Sequence, residues 1–488
     1  MIPENWPLLL PVAVLASGVV LSLLFGLRKS EGSGLAVSAG ACIMAAILAF
    51  FISGTGDAGP SFRVDAFSRF FLVLCSLAAA FVLVQAARSS EITSIRFPEF
   101  AALLLTTATG IAFAASARDL LSAYLAMETV SLPSYVITGF RRGHPASHEA
   151  ALKYVIVGGV ASAVMVFGMS ILYGLTGTLD YAGVAAALGG PGPSAPTAGI
   201  PAGFAAVLCT TLILAGFLFK IAAVPFHMWC PDVYEGAPLP FTAYLSVAPK
   251  AAGFALILRF LMEALPAAGG FPRGSVALLI GIISAVTMTV GNLTAIHQTR
   301  LKRLLAYSSI AHAGYLLMGV CTMNRDGTEA VILYLGVYLC MNLGAFAAVQ
   351  AVSERRGSDA LTAFRGLGSE DPLTAVLLTV YLFSLAGLPP LAGFIGKFYL
   401  FAALLRNGGT GTAVLAVIGI LNSVVALFYY ARIVAEMFMR NSESAAPPPK
   451  AKTGVTPLLI ITALPLLVFG VYWEPLRQWA EAAAVALK

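Results

Sequence analysis

The sequence predicts an all-α polytopic membrane protein of about 14 transmembrane helices. Three observations lead there. First, 59% of the 488 residues are hydrophobic and only 11% charged, where soluble domains carry about 25% charged residues; mean hydropathy is +0.88. Second, apolar runs of roughly 20 residues, the length that crosses a bilayer, recur from end to end. Third, two of those runs are overlong and interrupted by proline and glycine. No polar linker is long enough to divide the chain, so it reads as one continuous bundle.

The elements follow in order. No basic region precedes the first apolar run, so 7–27 is expected to be a first span rather than a cleaved signal. With 34–54 and 66–87 it forms an N-terminal segment, 1–95. Spans at 97–116, 118–140, 149–175, 202–236 and 238–262 make a first five-helix unit, 96–265. Spans at 274–297, 301–323, 328–352, 371–406 and 410–438 make a second, 270–440. The last segment, 450–488, holds a span at 454–474 and a short amphipathic tail from Pro475 to Lys488 suited to a membrane surface. The seventh span reads FKIAAVPFHMWCPDVYEGAPLP, with Pro225, Pro231, Pro238 and Pro240; the twelfth reads SLAGLPPLAGFIGKFYLF, with Pro389 and Pro390. Proline removes a donor and clashes with the preceding turn, so both helices are expected to break. Broken backbone at membrane depth survives only inside protein or beside water. The breaks are five spans apart. Two repeats of five helices, spans 4–8 and 9–13, would have opposite topology, and paired broken helices in inverted repeats mark transport sites.

Orientation follows from Lys and Arg in the loops. Loops after odd-numbered spans hold 15, including Arg28, Lys29, Lys450 and Lys452; the other side holds 9, including Arg259 and Lys488. The odd loops are therefore expected in the cytoplasm and both termini outside. Five of the 29 basic residues remain: Lys153, Lys220, Lys250, Lys397 and Arg432. Lys153 and Arg432 lie near cytoplasmic ends, where they can snorkel; the other three are too deep.

Several function classes drop out. The charge of +6 comes without a basic stripe or interleaved aromatics, so nucleic acid is not a partner. The six cysteines are scattered with no CxxC, which argues against iron–sulfur ligation. No Walker loop or GxGxxG after a strand is present.

Glu128, Lys220, Lys250 and Lys397 sit roughly mid-span in apolar runs. A charge at mid-bilayer costs about 2.5–3.5 kcal/mol on insertion scales, so such residues are rare and usually functional. A carboxyl in apolar surroundings keeps its proton and one beside a cation releases it, so Glu128 would respond to a nearby ammonium. Buried amines lose much of their preference for the charged form and can exchange protons near neutrality. One carboxylate and three such amines suit a proton path. The structural alternatives are a static ion pair for Glu128 and, for the lysines, caps on carbonyls freed by the breaks. His312 and His227 titrate near neutrality and are candidate relays, with satisfied core histidines as the alternative. Lys153 is a candidate extension toward the cytoplasm. Tyr307, Ser308, Ser309 and Asn342 can hold ordered water, although hydroxyls also cross-link helices.

At VPFHMWCPDVYEGAPLPFTAYLSVAPKAAGFALILR, LAGLPPLAGFIGKFYLF, RLLAYSSIAHAGYLL and GLGSEDPL the chain resembles the antiporter-like membrane subunits of bacterial respiratory complex I, NADH-quinone oxidoreductase, over nearly its whole length. The N-type branch fits best. M-type relatives carry glutamate where Lys397 stands, and L-type relatives have a long C-terminal extension for which this chain ends too soon. The resemblance implies a proton-translocating subunit in the inner membrane, multi-pass, among other membrane-arm subunits including the M-type and small ones. NADH, FMN, iron–sulfur clusters and quinone would be used in other subunits, with no cofactor or metal bound here. It implies that Glu128 and Lys220 form the pair that modulates proton affinity. Lys250 would be the central lysine, Lys397 the lysine of the outer half-channel, and His312 a bridging polar residue. Two other readings remain open: a subunit of a multisubunit Na⁺/H⁺ antiporter, and a non-pumping structural subunit of the membrane arm.

Overall fold

The computed structural model describes residues 6–27, 33–93, 96–190, 202–267, 271–441 and 454–487. Of the basic residues used above for orientation, Arg28, Lys29, Lys450, Lys452 and Lys488 lie outside the described residues, as does all of 191–201.

The chain is a helical bundle. In the first half run α1 (Leu10–Leu27), α2 (Ser33–Phe51), α3 (Ala66–Ala87), α4 (Phe97–Ser116), α5 (Leu120–Thr138), α6 (Pro145–Thr176), α7 (Tyr181–Gly189), α8 (Ala202–Lys220), α9 (Trp229–Gly236) and α10 (Leu239–Arg259). The second half comprises α11 (Arg273–Ile296), α12 (Leu301–Cys321), α13 (Arg325–Arg356), α14 (Leu367–Glu370), α15 (Pro372–Ala386), α16 (Ala392–Asn407), α17 (Thr410–Met439), α18 (Thr456–Val471) and α19 (Glu474–Val485). A two-residue hairpin, β1 (Gly56–Asp57) with β2 (Arg63–Val64), sits between α2 and α3.

Local chemistry fixes the helix ends. Asp65, Asp119, Asp180, Asn324 and Asp371 each accept a backbone N–H of the first turn, satisfying donors that a helix start leaves free. Gly177, Gly357 and Gly387 end α6, α13 and α15 with φ of 70°, 69° and 89°, the left-handed cap that glycine adopts without penalty.

Among the described residues twelve helices are long and apolar enough to cross a membrane, or up to thirteen if α18 and α19, bent by 88°, count as one. This is fewer than the fourteen expected, for physical reasons. The expected twelfth span, 371–406, is two helices of 15 and 16 residues separated at Pro389–Pro390. The expected fourteenth is the 16-residue α18, which Gly470 lets pack against the Pro390 carbonyl. The seventh breaks as anticipated: α8 stops at Lys220, residues 221–228 are irregular, and α9 resumes for two turns. A short helix, α7, follows α6 in the stretch between the sixth and seventh expected spans, where none was expected.

α10 and α12 form the centre, 94% buried in their apolar windows against 22% for α1 and 28% for α17 at the periphery. α11 and α12 approach backbone to backbone, since a Cβ on Gly314 would lie 2.6 Å from Met288 N and one on Gly291 2.7 Å from Ala311 N. Arg259, counted above among the outer loops, is instead buried, with Nη2 on Asp65 at 2.8 Å, Nη1 on Glu263 at 2.8 Å and Nε donating to the Ala115 carbonyl.

Candidate proton-transfer site

All four mid-span charges belong to the bundle, and the three lysines are almost wholly buried: Lys220 1%, Lys250 2% and Lys397 4% exposed. Lys220 closes α8 and donates to Ser131 Oγ of α5 at 3.0 Å. Ser131 gives its own proton to the Met127 carbonyl at 2.8 Å, which leaves its lone pairs for the ammonium. Glu128, one turn earlier on α5, is half-buried and accepts from Ser162 of α6. Among the described residues no direct ion pair joins Glu128 to Lys220; Glu128 and Ser131 share a turn of α5, and Ser131 touches the amine.

Lys250 follows Pro249 in the fully buried α10. Its Nζ donates to Ser309 of α12 twice, to the carbonyl at 2.9 Å and to Oγ at 2.6 Å. Gly253, one turn further on α10, makes room for Lys220: a Cβ there would lie 3.3 Å from Lys220 Cβ. Lys220 therefore packs on α10 one turn from Lys250.

From Lys250 a row of polar side chains runs along α12. Ser309 Oγ also accepts from Tyr338 at 3.0 Å, and Tyr338 Oη accepts from Asn342 at 2.7 Å. His312 bonds Tyr334 through Nδ1 at 2.7 Å and faces Tyr430 through Nε2 at 3.4 Å. Its ring packs 5.2 Å from Tyr338 and 5.8 Å from Tyr315. Tyr315 lies under Lys397, whose Nζ is 4.5 Å from the ring centroid. Ser309, His312 and Tyr315 are three residues apart, so they share a helix face. Lys397 also donates to the Ala386 carbonyl at 2.9 Å and reaches Ser423 Oγ at 3.5 Å. Gly396 lets Tyr334 press on the α16 backbone, since a Cβ there would fall 2.2 Å from its ring.

The other candidates stand apart. His227 is half-buried in the first break, hydrogen-bonded to none of the lysines, and its Nδ1 has no partner among the described residues. Lys153 is 43% exposed and paired with Glu149 at 2.7 Å and Asp232 at 2.6 Å. Arg303 shares Asp232 and Glu235, so α9 is tied to both α6 and α12. Of the polar residues proposed to hold water, Ser309 and Asn342 join the row and Ser308 bonds Tyr430, while Tyr307 is only half-buried against the core. Sequence reasoning passed over Ser131, Tyr315, Tyr334, Tyr338 and Tyr430. The available signal was the three-residue spacing along α12.

Comparison with known proteins identifies the family. Residues 117–425 match the family described as NADH:quinone oxidoreductase/Mrp antiporter, transmembrane. NADH-quinone oxidoreductase subunit N of Anaeromyxobacter sp. (strain Fw109-5) is 45% identical, covering 95% of this chain and 93% of that one. Subunit N 2 of Sorangium cellulosum (strain So ce56) is 43% identical over 99% of this chain and 94% of its own length. A chain of respiratory complex I from Thermus thermophilus, solved with bound aureothin, superposes with a TM-score of 0.79 at 33% identity, covering 96% of this chain and 98% of that one. A chain of the Mrp complex from Dietzia sp. DQ12-45-1b shares the fold, with a TM-score of 0.81 at 21% identity over 99% and 98%. These matches place the chain in the NADH:quinone oxidoreductase/Mrp antiporter membrane family, with the NADH-quinone oxidoreductase N subunits.

Proposed function

We propose that this chain moves protons outward across the bacterial inner membrane as a subunit of NADH-quinone oxidoreductase, respiratory complex I. NADH oxidation and quinone reduction, with the FMN and iron–sulfur clusters they need, take place in other subunits. The observation that carries this reading is the buried side-chain row from Lys250 to Lys397, hydrogen-bonded from Lys250 through Ser309 to Tyr338 and in ring contact from Tyr338 through His312 and Tyr315 to Lys397, where ordered water would complete the path.

A proton enters from the cytoplasmic side and charges Lys220, beside the α5 turn that carries Glu128 and Ser131. When that turn shifts, the ammonium loses its partners and gives the proton inward. Ordered water passes it to Lys250 across the α10 face at Gly253. The hydroxyls of Ser309 and Tyr338 and the imidazole of His312 then carry it to Lys397, which releases it outward. Working against 100 mV costs about 2.3 kcal/mol per charge, which a change of under two pKa units at a carrier supplies at about 1.36 kcal/mol each.

In this reading the chain crosses the membrane fourteen times, with α15–α16 and α18 as the remaining crossings and both termini outside. Its two five-span units, 96–265 and 270–440, are inverted repeats flanked by 1–95 and 450–488. The occurrence of one broken helix per unit, with a buried lysine beside each break, supports it. Its neighbours are membrane-arm subunits, the M-type one among them, and lipid.

The test is proton pumping per NADH in membrane vesicles carrying the assembled complex. Lys220→Ala and Glu128→Ala are expected to cut it sharply. Unchanged pumping in both, with the complex intact, sinks the proposal and leaves a structural spacer. A Na⁺-dependent proton flux would move the chain to antiporter chemistry.

A further inference from the structure

The row of side chains begins at Lys250 and does not give how a proton reaches Lys220. Two buried polar atoms beside it have no hydrogen-bond partner among the described residues: Tyr154 Oη and Trp229 Nε1. Tyr154 is 0% and Trp229 1% exposed. Buried polar groups are bonded in more than about 90% of cases, so two orphans in one cluster call for a cause. The two rings stack on each other, centroids 4.3 Å apart and planes within 12°. Phe219, the residue before Lys220, packs on both, at 5.9 Å from Tyr154 and 5.3 Å from Trp229.

The cluster lies between a solvated ion pair and the buried amine. On one side, Lys153 is the chain neighbour of Tyr154, and Asp232 stands one helical turn beyond Trp229; these two form the part-exposed pair at 2.6 Å. On the other, Tyr135 meets Tyr154 edge to face at 4.7 Å. Tyr135 is one turn from Ser131 on α5, so their side chains share a face, and Ser131 holds Lys220. Gly158 of α6 admits the Tyr135 hydroxyl, since a Cβ there would lie 2.0 Å from it.

We propose that Tyr154 Oη and Trp229 Nε1 hold ordered water that carries protons from the Lys153–Asp232 pair to Ser131 and Lys220. This rests on the reading of Lys220 as the loaded amine. The chemistry of the two groups divides the work. Indole N–H only donates, so Trp229 fixes a water's lone pair and takes no proton; it is a positioning residue. A phenol both donates and accepts, so Tyr154 can orient the water or pass a proton through it. Each hop between oxygens breaks one O–H bond and forms one; the last breaks an O–H bond and forms an N–H bond at Lys220 Nζ, and a proton taken up at the surface replaces the one delivered. Water fits such a site because it needs two to four polar partners.

The test uses the assembled complex in membrane vesicles, reading NADH oxidation, proton pumping and the solvent deuterium isotope effect together. Tyr154→Phe keeps the ring and its packing. It is expected to slow pumping by about fivefold, the factor that one lost hydrogen bond carries, and to change the isotope effect. Trp229→Phe should do the same and Trp229→His, which restores an N–H, should recover part of the rate. A high-resolution map of the complex should place water within hydrogen-bond reach of both atoms. Wild-type pumping in Tyr154→Phe, or dry packing at both atoms, overturns the inference. If Lys220→Ala abolishes pumping while Tyr154→Phe does not, the loading route alone fails; if Lys220→Ala has no effect, the function itself does.

Discussion

The two breaks solve the same problem in different ways, and the lysine beside each shows it. At the first, the backbone satisfies itself. Ala222 and Ala223 donate to the Phe219 and Leu218 carbonyls, and Val224 N–H is taken by Thr287 of α11. Lys220 is free of that work, and its one bond goes to a side chain, Ser131. At the second, Gly387 and Leu388 donate back to Phe383, yet the Ala386 carbonyl is taken by Lys397. The inner lysine can therefore lose its proton without disturbing the break beside it. Lys397 caps the Ala386 carbonyl, which is the structural alternative raised from the sequence, and that bond is compatible with the transfer role proposed for it.

Replacing each lysine by methionine, which keeps the length and volume, separates these roles and should give the largest effects. Both variants are expected to lose pumping. Lys397→Met also strands a buried carbonyl, at about 1–3 kcal/mol. Lys220→Met strands little, because Ser131 still gives its proton to Met127. Heat-induced loss of the chain from the detergent-extracted complex should thus occur at lower temperature for Lys397→Met alone. Equal loss in the two variants would erase the contrast.

The backbone at the breaks offers a second pair. Gly387 has φ of 89°, and a Cβ there would lie 2.9 Å from Lys397 Cδ. Gly387→Ala should cost about 1–2 kcal/mol from the left-handed backbone alone and push the lysine off its carbonyl. Ala222 already sits at φ 57°, so Ala222→Gly relieves strain of similar size while adding unfolded-chain entropy of about 0.4–1 kcal/mol. It should be neutral or slightly stabilising. The same heat-dissociation assay checks both, and opposite signs are the expected result.

The breaks and their lysines were legible because proline and an apolar-run ammonium each have one dominant physical meaning. The partners were not. Tyr315, Tyr334 and Tyr338 lie in hydrophobic stretches where a tyrosine looks like any core aromatic, and only the packing of α12 on α13 and α16 turns them toward one another. Arg259 was taken for a loop charge because it ends an apolar run; Asp65, 194 residues away in sequence, meets it. The run 371–406 reads as one helix in the sequence because hydropathy averages across a break and cannot see where hydrogen bonding stops.

A smaller effect concerns how each amine is held. Lys397 lies over the Tyr315 ring, and no comparable ring contact is seen for Lys220 among the described residues. Tyr315→Phe keeps that face and gives up only the hydroxyl contacts to Ser423 and Asn292. Tyr315→Leu removes the face as well, worth about 0.5–2 kcal/mol for a cation over an aromatic ring. Pumping should fall in the order wild type, Phe, Leu. A Phe variant as impaired as Leu would assign the role of Tyr315 to its hydroxyl.

The weakest expected effect lies at α19, which is clasped to the bundle beside α16. Trp473 donates to Tyr399 of α16 at 3.1 Å, and Arg477 bridges Glu474 at 2.7 Å and Glu481 at 3.1 Å. Hydrogen bonds from Arg477 and then Gln478 hold the Glu474 carboxyl down at about 2, below its ordinary 4.5. A carboxyl depressed on folding contributes fully above its unfolded value and is lost as pH falls through the folded one. Amide exchange across 474–485 should therefore be the same at pH 7 and pH 5 after correction for the intrinsic rate. Glu474→Gln should quicken it slightly and equally at both. Protection that falls away already between pH 7 and pH 5 would mean that a different group, titrating nearer neutrality, fastens α19 beside the outer lysine.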